Sequence, residues 1–406
     1  MNIAVLNAGS GSQKLARYEL GNGIPAEPMR PAWSAHVNTT APDQPEGKLW
    51  VEITAAGEHR RVTISKDLLF PEKVEHLLAL LQAGAPPGFS LGAIAHRIVH
   101  GGSKYAAAVP VTAEVEQDIE AMAAFAPLHN PDNLAGIRIA RRFLGEAVRS
   151  YAVFDTAFHQ TLPEAAYAYP GPYHWLGQGI RRYGFHGSSF RWASQRAAAL
   201  LRREGDAGLK LIICHLGGGC SLAATVGGRS IDTTMGLTPL DGVAMCTRPG
   251  SLDPGILIHL LKGGMAVDEL ETLLNKNCGL KGLSGLPGDT RVICAHAEAG
   301  DERARLALDV FVHRLNAGVG QMIAALGDRP DAIIFTDVIG ESEPTLRTRV
   351  CGAFAHLGVT IDPSKNAAAT PDSDVATAGS AVRVLIIHCE EEWQIATECF
   401  HCATAL

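Results

Sequence analysis

The first half of the chain contains no cysteine. All nine lie between Cys214 and Cys402, an odd number crowded into one half, which argues against a disulfide framework and for a reducing compartment. No run of about 18 apolar residues occurs, so no segment reads as a membrane span. The start, MNIAVLNAGS, has neither the basic region nor the long apolar core of a signal peptide, and a cytoplasmic protein is expected. Excess positive charge is missing too: the formal net charge is −7, which leaves no electrostatic footprint for nucleic acid or an anionic membrane. Charge runs and low-complexity tracts are absent. Two familiar phosphate signatures are also absent, the G-x-x-x-x-G-K-[ST] loop and a G-x-G-x-x-G following a strand. Any phosphate site must be built differently.

What is present is a chain of 406 residues, 47% apolar and 19% charged, enough for two or three domains with separate cores. Residues 211–255 hold the densest pattern. Leu211 to Cys214 form an apolar run, His215-Leu216 follow, Gly217 to Gly219 make a turn, and Leu222 to Val226 return. Strand, glycine turn and strand form a hairpin whose backbone amides can approach an anion closely. An ordinary tight hairpin would look the same. The pattern recurs at the start of the chain, in IAVLNAGSGSQKLA. A shift of 208 sets Leu6 on Cys214, Asn7 on His215, Gly9 on Gly217 and Gly11 on Gly219. A repeat of this kind implies two similar domains, each presenting a phosphate-sized turn to a shared cleft.

Between and after the hairpins, strands alternate with helices, which argues for an α/β fold. Residues 50–54 and 61–64 predict a surface hairpin, and Pro71 opens a helix that Gly84 ends. Strands are expected at 94–99, 151–154, 331–336 and 382–387. Helices are expected at 112–125, at 133–144 with Asp132 as N-cap, from Ser188 to about 203, from about Asp253, over 302–326 and over 390–404. The Pro- and aromatic-rich stretch 163–179 reads as an ordered loop.

Several polar residues occupy places where chemistry concentrates. Lys14 closes the first turn and could reach a phosphate, or could be a solvated surface lysine. Arg97 lies inside an apolar strand, where an unpaired charge is rare, and Arg248 lies in a Gly-Pro loop. Together they could grip a carboxylate or a transferring phosphoryl group. Asp155 follows a strand, where open α/β sheets place active groups, although a turn-capping aspartate would sit there as well. His186 precedes a helix start and could be catalytic or a cap. The C-terminal Cys399-Phe400-His401-Cys402 has no second Cys/His cluster to complete a zinc site.

Taken in order, NAGSGSQK, HRIVHGG, APLHNPDN, FDTAFHQTLP, RRYGFHGSS, HLGGGCS, DTTMGLTPLDGVAMCTRPGSLDP, IGE and EEEWQIA closely resemble the family of acetate, propionate and butyrate kinases. The resemblance covers nearly the whole chain. It implies two duplicated actin-like ATPase (ribonuclease H-like) domains with a nucleotide cleft between them: 1–154 with 385–406, and 155–384, the second carrying nucleotide binding and dimerisation. It implies reversible transfer of the ATP γ-phosphoryl group to acetate, giving acetyl phosphate and ADP. Another short-chain acid or another phosphoryl donor is the alternative, and a non-enzymatic actin-like ATPase the remote one. It further implies that Arg97 binds the acceptor carboxylate with His129 close by, and that Asp155, His186, Arg248 and Arg97 form the catalytic set. Asn7 and Glu391 resemble the residues of a Mg²⁺ site, with Mn²⁺ as substitute. Nucleotide contacts are implied for Lys14, for His215, Leu216, Gly217, Gly218 and Gly219, for Asp289, Thr290 and Arg291, and for Val338, Ile339, Gly340, Glu341 and Ser342. A homodimer is the implied assembly.

The chain departs from the family pattern at four places, three near the nucleotide and one beside the metal site. Gly11 stands for a serine, Gly218 for an asparagine, and Asp337-Val338 for a glycine pair. Glu390 stands for an asparagine beside the metal-site glutamate. The valine is expected to narrow the adenosine pocket, and the Asp337 carboxylate to repel a phosphate or bind ribose.

Overall fold

The computed structural model describes residues 1–9, 12–39 and 44–405. The chain divides into two compact units, Met1–Ala157 with Glu390–Leu406, and Phe158–Cys389. Gly11 lies outside the described residues.

The first unit is built on an eight-stranded sheet of order β5-β4-β3-β2-β1-β6-β8-β7. Strands β1 (Asn2–Ala8), β2 (Ser12–Glu19), β3 (Trp33–Asn38), β4 (Lys48–Ala55) and β5 (Glu58–Ser65) form an antiparallel meander. Strand β6 (Ala93–Ile98) joins β1 in parallel and β8 (Arg149–Phe154) joins β6 likewise, with β7 (Val109–Pro110) on the edge. Strand β1 is buried along nearly its whole length, as a strand with parallel and antiparallel neighbours and both faces covered should be. Helix α1 (Phe70–Ala83) buries Val74, Leu77, Leu78 and Leu81, one stripe at helical spacing. Each such leucine contributes about 1.5–3 kcal/mol by burial. Gly84 is its C-cap, and a Cβ there would stand 2.6 Å from the Trp33 indole nitrogen, so the position has no room for a side chain.

Two boundaries in this unit differ from those expected. Helix α2 (Ala113–Ala121) is capped by Thr112 and passes into a 3₁₀ turn at Met122–Ala124. Helix α3 spans Asn130–Leu144, so its N-cap is His129 and Asp132 lies within the first turn. Pro131 brings the start forward, since its fixed φ suits a first helical turn. The C-terminal helix, Glu391–Thr404, packs across β1, β6 and β8 and belongs to this unit.

The second unit repeats the plan. Strands β9 (Lys210–Leu216), β10 (Cys220–Val226) and β11 (Arg229–Thr233) form the meander, β12 (Ala332–Thr336) and β14 (Arg383–Ile386) run parallel to β9, and β13 (Ser373–Asp374) is the edge, in the order β11-β10-β9-β12-β14-β13. The repeat is kept residue by residue: adding 208 to the ends of β1 gives 210 and 216, the ends of β9, and adding it to the start of β2 gives 220, the start of β10. Five strands correspond between the units and share one spatial order, β3-β2-β1-β6-β8 in the first and β11-β10-β9-β12-β14 in the second.

Stretch 163–179 contains two single-turn helices, α4 (Glu164–Tyr167) and α5 (His174–Gly177), rather than loop alone. Helix α6 runs Gly187–Leu200 with His186, not Ser188, at its N-cap, and it stops short of 203 because Arg202 turns to φ 56°. Next come α7 (Pro254–Lys262, capped by Asp253), α8 (Val267–Lys276), α9 (Gly279–Ser284) and α10 (Thr290–Glu298). Helix α11, Glu302–Leu326, has the expected bounds and packs on β9, β10 and β11. The short α12 (Asp337–Ser342) follows β12 without a linker. Among the described residues no helix is long and apolar enough to cross a membrane.

Candidate active site

In the first unit the parallel register brings three strand ends together. Leu6 pairs with His96, and Arg97 with Val153, so Asn7, Arg97 and Asp155 leave the sheet along its carboxyl edge, where open α/β sheets gather reactive groups. Arg97 donates from Nε to Asp155 Oδ1 at 2.9 Å and from Nη2 to Oδ2 at 2.7 Å, a two-pronged pair of fixed orientation. Its Nη1 donates to Asn7 Oδ1 at 3.0 Å and lies 3.7 Å from Glu391 Oε2. Asn7 Nδ2 in turn donates to Glu391 Oε2 at 3.3 Å and to Glu392 Oε1 at 2.8 Å. Lys14 Nζ stands 3.1 Å from that Glu392 oxygen. Burial works against the Arg97 charge, but the Asp155 and Glu391 carboxylates outweigh it and hold the guanidinium above its ordinary range.

Helix α3 is pinned to the same edge. Asn133 accepts from Val99 N at 3.0 Å and donates to Ala8 O at 3.2 Å, while Asn130 accepts from His100 N at 3.1 Å and donates to His100 O at 2.9 Å. His129 heads this pinned turn. Glu391, Glu392 and the Asn7 amide oxygen are all-oxygen donors, the kind a hard divalent cation takes. Three carboxylates (Asp155, Glu391, Glu392) gather about two cations (Arg97, Lys14), and the excess negative charge suits such an ion.

The second unit gathers a different set around the glycine turn. His186 holds a left-handed backbone, φ 58°, at the head of α6, a conformation of the sort that clusters at functional positions. Its Nδ1 lies 2.8 Å from Ser221 Oγ. His215 is the penultimate residue of β9, with Nδ1 2.8 Å from Ser189 Oγ, and its ring centre is 4.1 Å from that of His186. Inside the turn, the Gly217 N–H reaches Gly219 O at 3.1 Å, and the Gly217 carbonyl accepts from the Cys220 and Cys246 thiols at 3.3 and 3.4 Å.

The three glycines meet three environments. A Cβ on Gly219 would lie 2.5 Å from Arg248 Nη2 and 3.2 Å from His186 Nε2, whereas one on Gly218 would meet nothing within 4 Å. A Cβ on Gly217 would lie 1.8 Å from Asp337 Oδ2. The turn therefore carries a cationic flank, an open face and an acidic flank. Arg248 Nη1 donates to Pro239 O at 2.8 Å. Among the described residues of its own unit, no carboxylate lies within ion-pair distance of Arg248. Burial pulls its pKa down, with the Cys220 and Cys246 thiols opposing.

The remaining nucleotide candidates are placed less compactly. Asp289 caps α10 and binds the exposed Arg291 through Nε at 3.0 Å and Nη2 at 2.6 Å, and Thr290 opens that helix, buried. Val338, the residue expected to narrow a pocket, is 62% exposed. Ile339 and Gly340 face inward, a Cβ on Gly340 falling 3.3 Å from the Phe335 backbone. Glu341 binds His388 Nδ1 at 2.7 Å and accepts from Cys389 N at 2.9 Å, and Ser342 ends α12. Glu392, Ser189, Ser221, Asn130 and Asn133 were not foreseen. Only Glu392 had a signal, since two consecutive glutamates opening a helix share its first turn.

Comparison with known proteins agrees over the full length. The profile of the Acetokinase family matches residues 2–397. An acetate kinase from Gloeobacter violaceus is 48% identical over 98% of this chain and 99% of its own. One from Cyanothece sp. is 46% identical over 98% of each. Among solved structures, a Francisella tularensis propionate kinase superposes with a TM-score of 0.86 at 33% identity over 98% of both chains. A Porphyromonas gingivalis acetate kinase gives 0.85 at 33% over 99% of both. With one family profile spanning nearly every residue and full-length relatives near half identity, this chain belongs to the acetokinase family.

Proposed function

We propose that the chain catalyses reversible transfer of the γ-phosphoryl group of ATP to acetate, giving acetyl phosphate and ADP. Family membership makes it a phosphotransferase. The observation that carries the reading is Arg248, a partly buried guanidinium with no carboxylate partner in its unit, held against Gly219 beside His186. A charge so placed is stabilised by an arriving anion. An acetate oxygen attacks the γ-phosphorus, the bond from that phosphorus to the bridging oxygen breaks, and ADP leaves. Acetate is ionised near neutrality, so no base has to remove a proton from it. The barrier comes from bringing anions together, and positive charge and positioning lower it.

In this reading Arg97 meets the acceptor carboxylate near His129, and Asp155 orients Arg97 instead of acting as a base, because it already grips two guanidinium nitrogens. His186, its Nδ1 anchored by Ser221, and Arg248 stabilise the transferring group. Lys14, His215 to Gly219, Asp289 to Arg291 and Val338 to Ser342 hold the nucleotide. Asn7 and Glu391 would hold Mg²⁺ or Mn²⁺, which supplies positive charge to the phosphates. A cytoplasmic homodimer completes the proposal, and the exposed Leu252, Ile256, Ile258, Leu261 and Val267 along one stretch of the second unit support it. Sedimentation velocity at micromolar protein checks the dimer.

Trapping acyl phosphate as the hydroxamate tests the reaction. The assay is run with acetate, propionate and butyrate against ATP, GTP, ITP and pyrophosphate. Acetate with ATP should give the highest kcat/KM. ATP hydrolysis indifferent to any carboxylate would sink the proposal.

A further inference from the structure

The cationic flank of the glycine turn has a ready use, and the acidic flank is the unexpected feature. Asp337 Oδ2 covers Gly217 so closely that a Cβ there would fall 1.8 Å from the oxygen and 2.7 Å from Cγ. The carboxylate reaches this position because Asp337, the residue directly after β12, adopts φ 65°. That left-handed conformation is uncommon for a residue with a side chain, and strain of this kind persists where surrounding structure over-determines it. Its one ion-pair neighbour among the described residues is His215, with Nε2 3.3 Å from Oδ2. Among the described residues no arginine or lysine lies within ion-pair distance of it, and His215 is the one group there that could offset its charge. That charge is felt across the turn: after burial, which dominates, Asp337 is among the groups holding the Cys220 and Cys246 thiols above their ordinary range.

An anion settling on the Gly217–Gly219 turn therefore meets Arg248 and His186 on one side and a fixed carboxylate on the other. We propose that Asp337 is an affinity- and specificity-determining residue for the phosphoryl donor: its carboxylate on Gly217 weakens the hold of the turn on polyphosphate chains, and does so through phosphate charge without regard to the base. The inference rests on reading the turn as the phosphate holder of a kinase. Like charges a few ångströms apart near a protein surface repel enough to change binding by about tenfold. The consequence is a donor that binds loosely and a product nucleotide that leaves quickly.

The test compares the whole chain with Asp337→Asn and Asp337→Gly. Asparagine keeps the shape, tolerates the left-handed backbone and removes only the charge, whereas glycine also removes the side chain and the strain. Binding of ADP, GDP, tripolyphosphate and adenosine is measured by calorimetry, alongside kcat and donor KM. In Asp337→Asn, ADP, GDP and tripolyphosphate should each bind about tenfold tighter, adenosine should be unchanged, and donor KM should fall while kcat stays within about twofold. Unchanged or weaker binding of tripolyphosphate would overturn the inference. So would a gain seen with ADP but not GDP, or one shared by adenosine, since either assigns Asp337 to the nucleoside. A role confined to capping α12 would alter the melting temperature alone, which also overturns it. Because calorimetry with tripolyphosphate requires no turnover, failure of this inference is separable from failure of the wild-type chain to form acyl hydroxamate.

Discussion

The two units present corresponding strand ends with different residues. Asn7 in the first corresponds to His215 in the second, by the 208-residue offset. Arg97, next to Asn7 in the parallel register, corresponds to Thr336, which pairs with His215. Asp155, two residues beyond the partner of Arg97, corresponds to Cys389, two beyond Ile387. One scaffold thus carries a charged row in the first unit and a nearly neutral one in the second. The second unit takes its cation from a loop instead, and the two arginines end in opposite states. Arg97 is locked to Asp155 by two hydrogen bonds, and Arg248 is held by a carbonyl. The first is a finished ion pair with little freedom, and the second is a charge whose partner is still to arrive. Duplication supplied the edge on which groups can be mounted, while side-chain identity decided what each edge does.

That contrast can be broken most severely at Asp155. Removing it with Asp155→Ala strands a largely buried guanidinium and should cost about 3–5 kcal/mol in urea unfolding. A loss below about 1 kcal/mol would mean that the pair is dispensable and the two arginines less different than their contacts suggest. Next come the arginines themselves. Arg248→Ala and Arg97→Ala should each reduce turnover at least about 10²-fold, near-normal rates in either variant removing that residue from the catalytic set. Lysine sharpens the distinction: Arg97→Lys cannot reproduce the two-pronged pair, so it should lose more activity than Arg248→Lys.

The glycine turn offers a finer comparison. Gly219→Ala drives a methyl into Arg248 and should lower kcat by about 10²-fold through misplacement. Gly218→Ala points into open space and should leave kcat within about twofold of the parent. Equal effects would show that the flanks of the turn are not distinct.

The last comparison concerns protons. Each unit buries a neutral histidine: burial, with Arg141 adding to it, pushes His96 down to about 3. Burial pushes His159 down to about 4 against the opposing Phe185 carbonyl. Unfolded, both would take a proton near 6.5. The unfolded chain therefore binds more protons between those values, and stability is full above pH 6.5 and falls as pH drops toward 4. Each histidine contributes up to about 1.4 kcal/mol per pH unit. The nitrogens of His96 have no hydrogen-bond partner among the described residues, whereas His159 lies 2.8 Å from Ser230 Oγ and 3.0 Å from Phe185 O. His96→Leu should flatten the fall in melting temperature between pH 7 and 5 without lowering stability at pH 7.5. His159→Leu should flatten it and lower stability throughout.

Local pattern made much of this protein readable. Alternating apolar runs and glycine turns gave both hairpins and the offset between them, and an unbroken helical period gave 302–326. A charged residue inside an apolar strand singled out Arg97, and a polar one at a strand end singled out Asp155. The helix caps His129 and His186 lie three and two residues before the positions local pattern suggests, because Pro131 and a left-handed histidine move them. Segment 163–179 hid two single turns of helix, too short to leave a period.

The sequence by itself determined the duplicated strand–turn–strand frame and the identity of the groups at its edge, since both depend on neighbours a few residues apart. It could not say that Arg97 is already paired, that Ser221 and Ser189 hold the two histidines, or that the three glycines of one turn have three different surroundings. Those facts depend on which side chains arrive from loops and strands elsewhere in the chain. Asp337 reaches Gly217 across 120 residues of sequence (337 − 217), and only the parallel pairing of β12 with β9 brings it there.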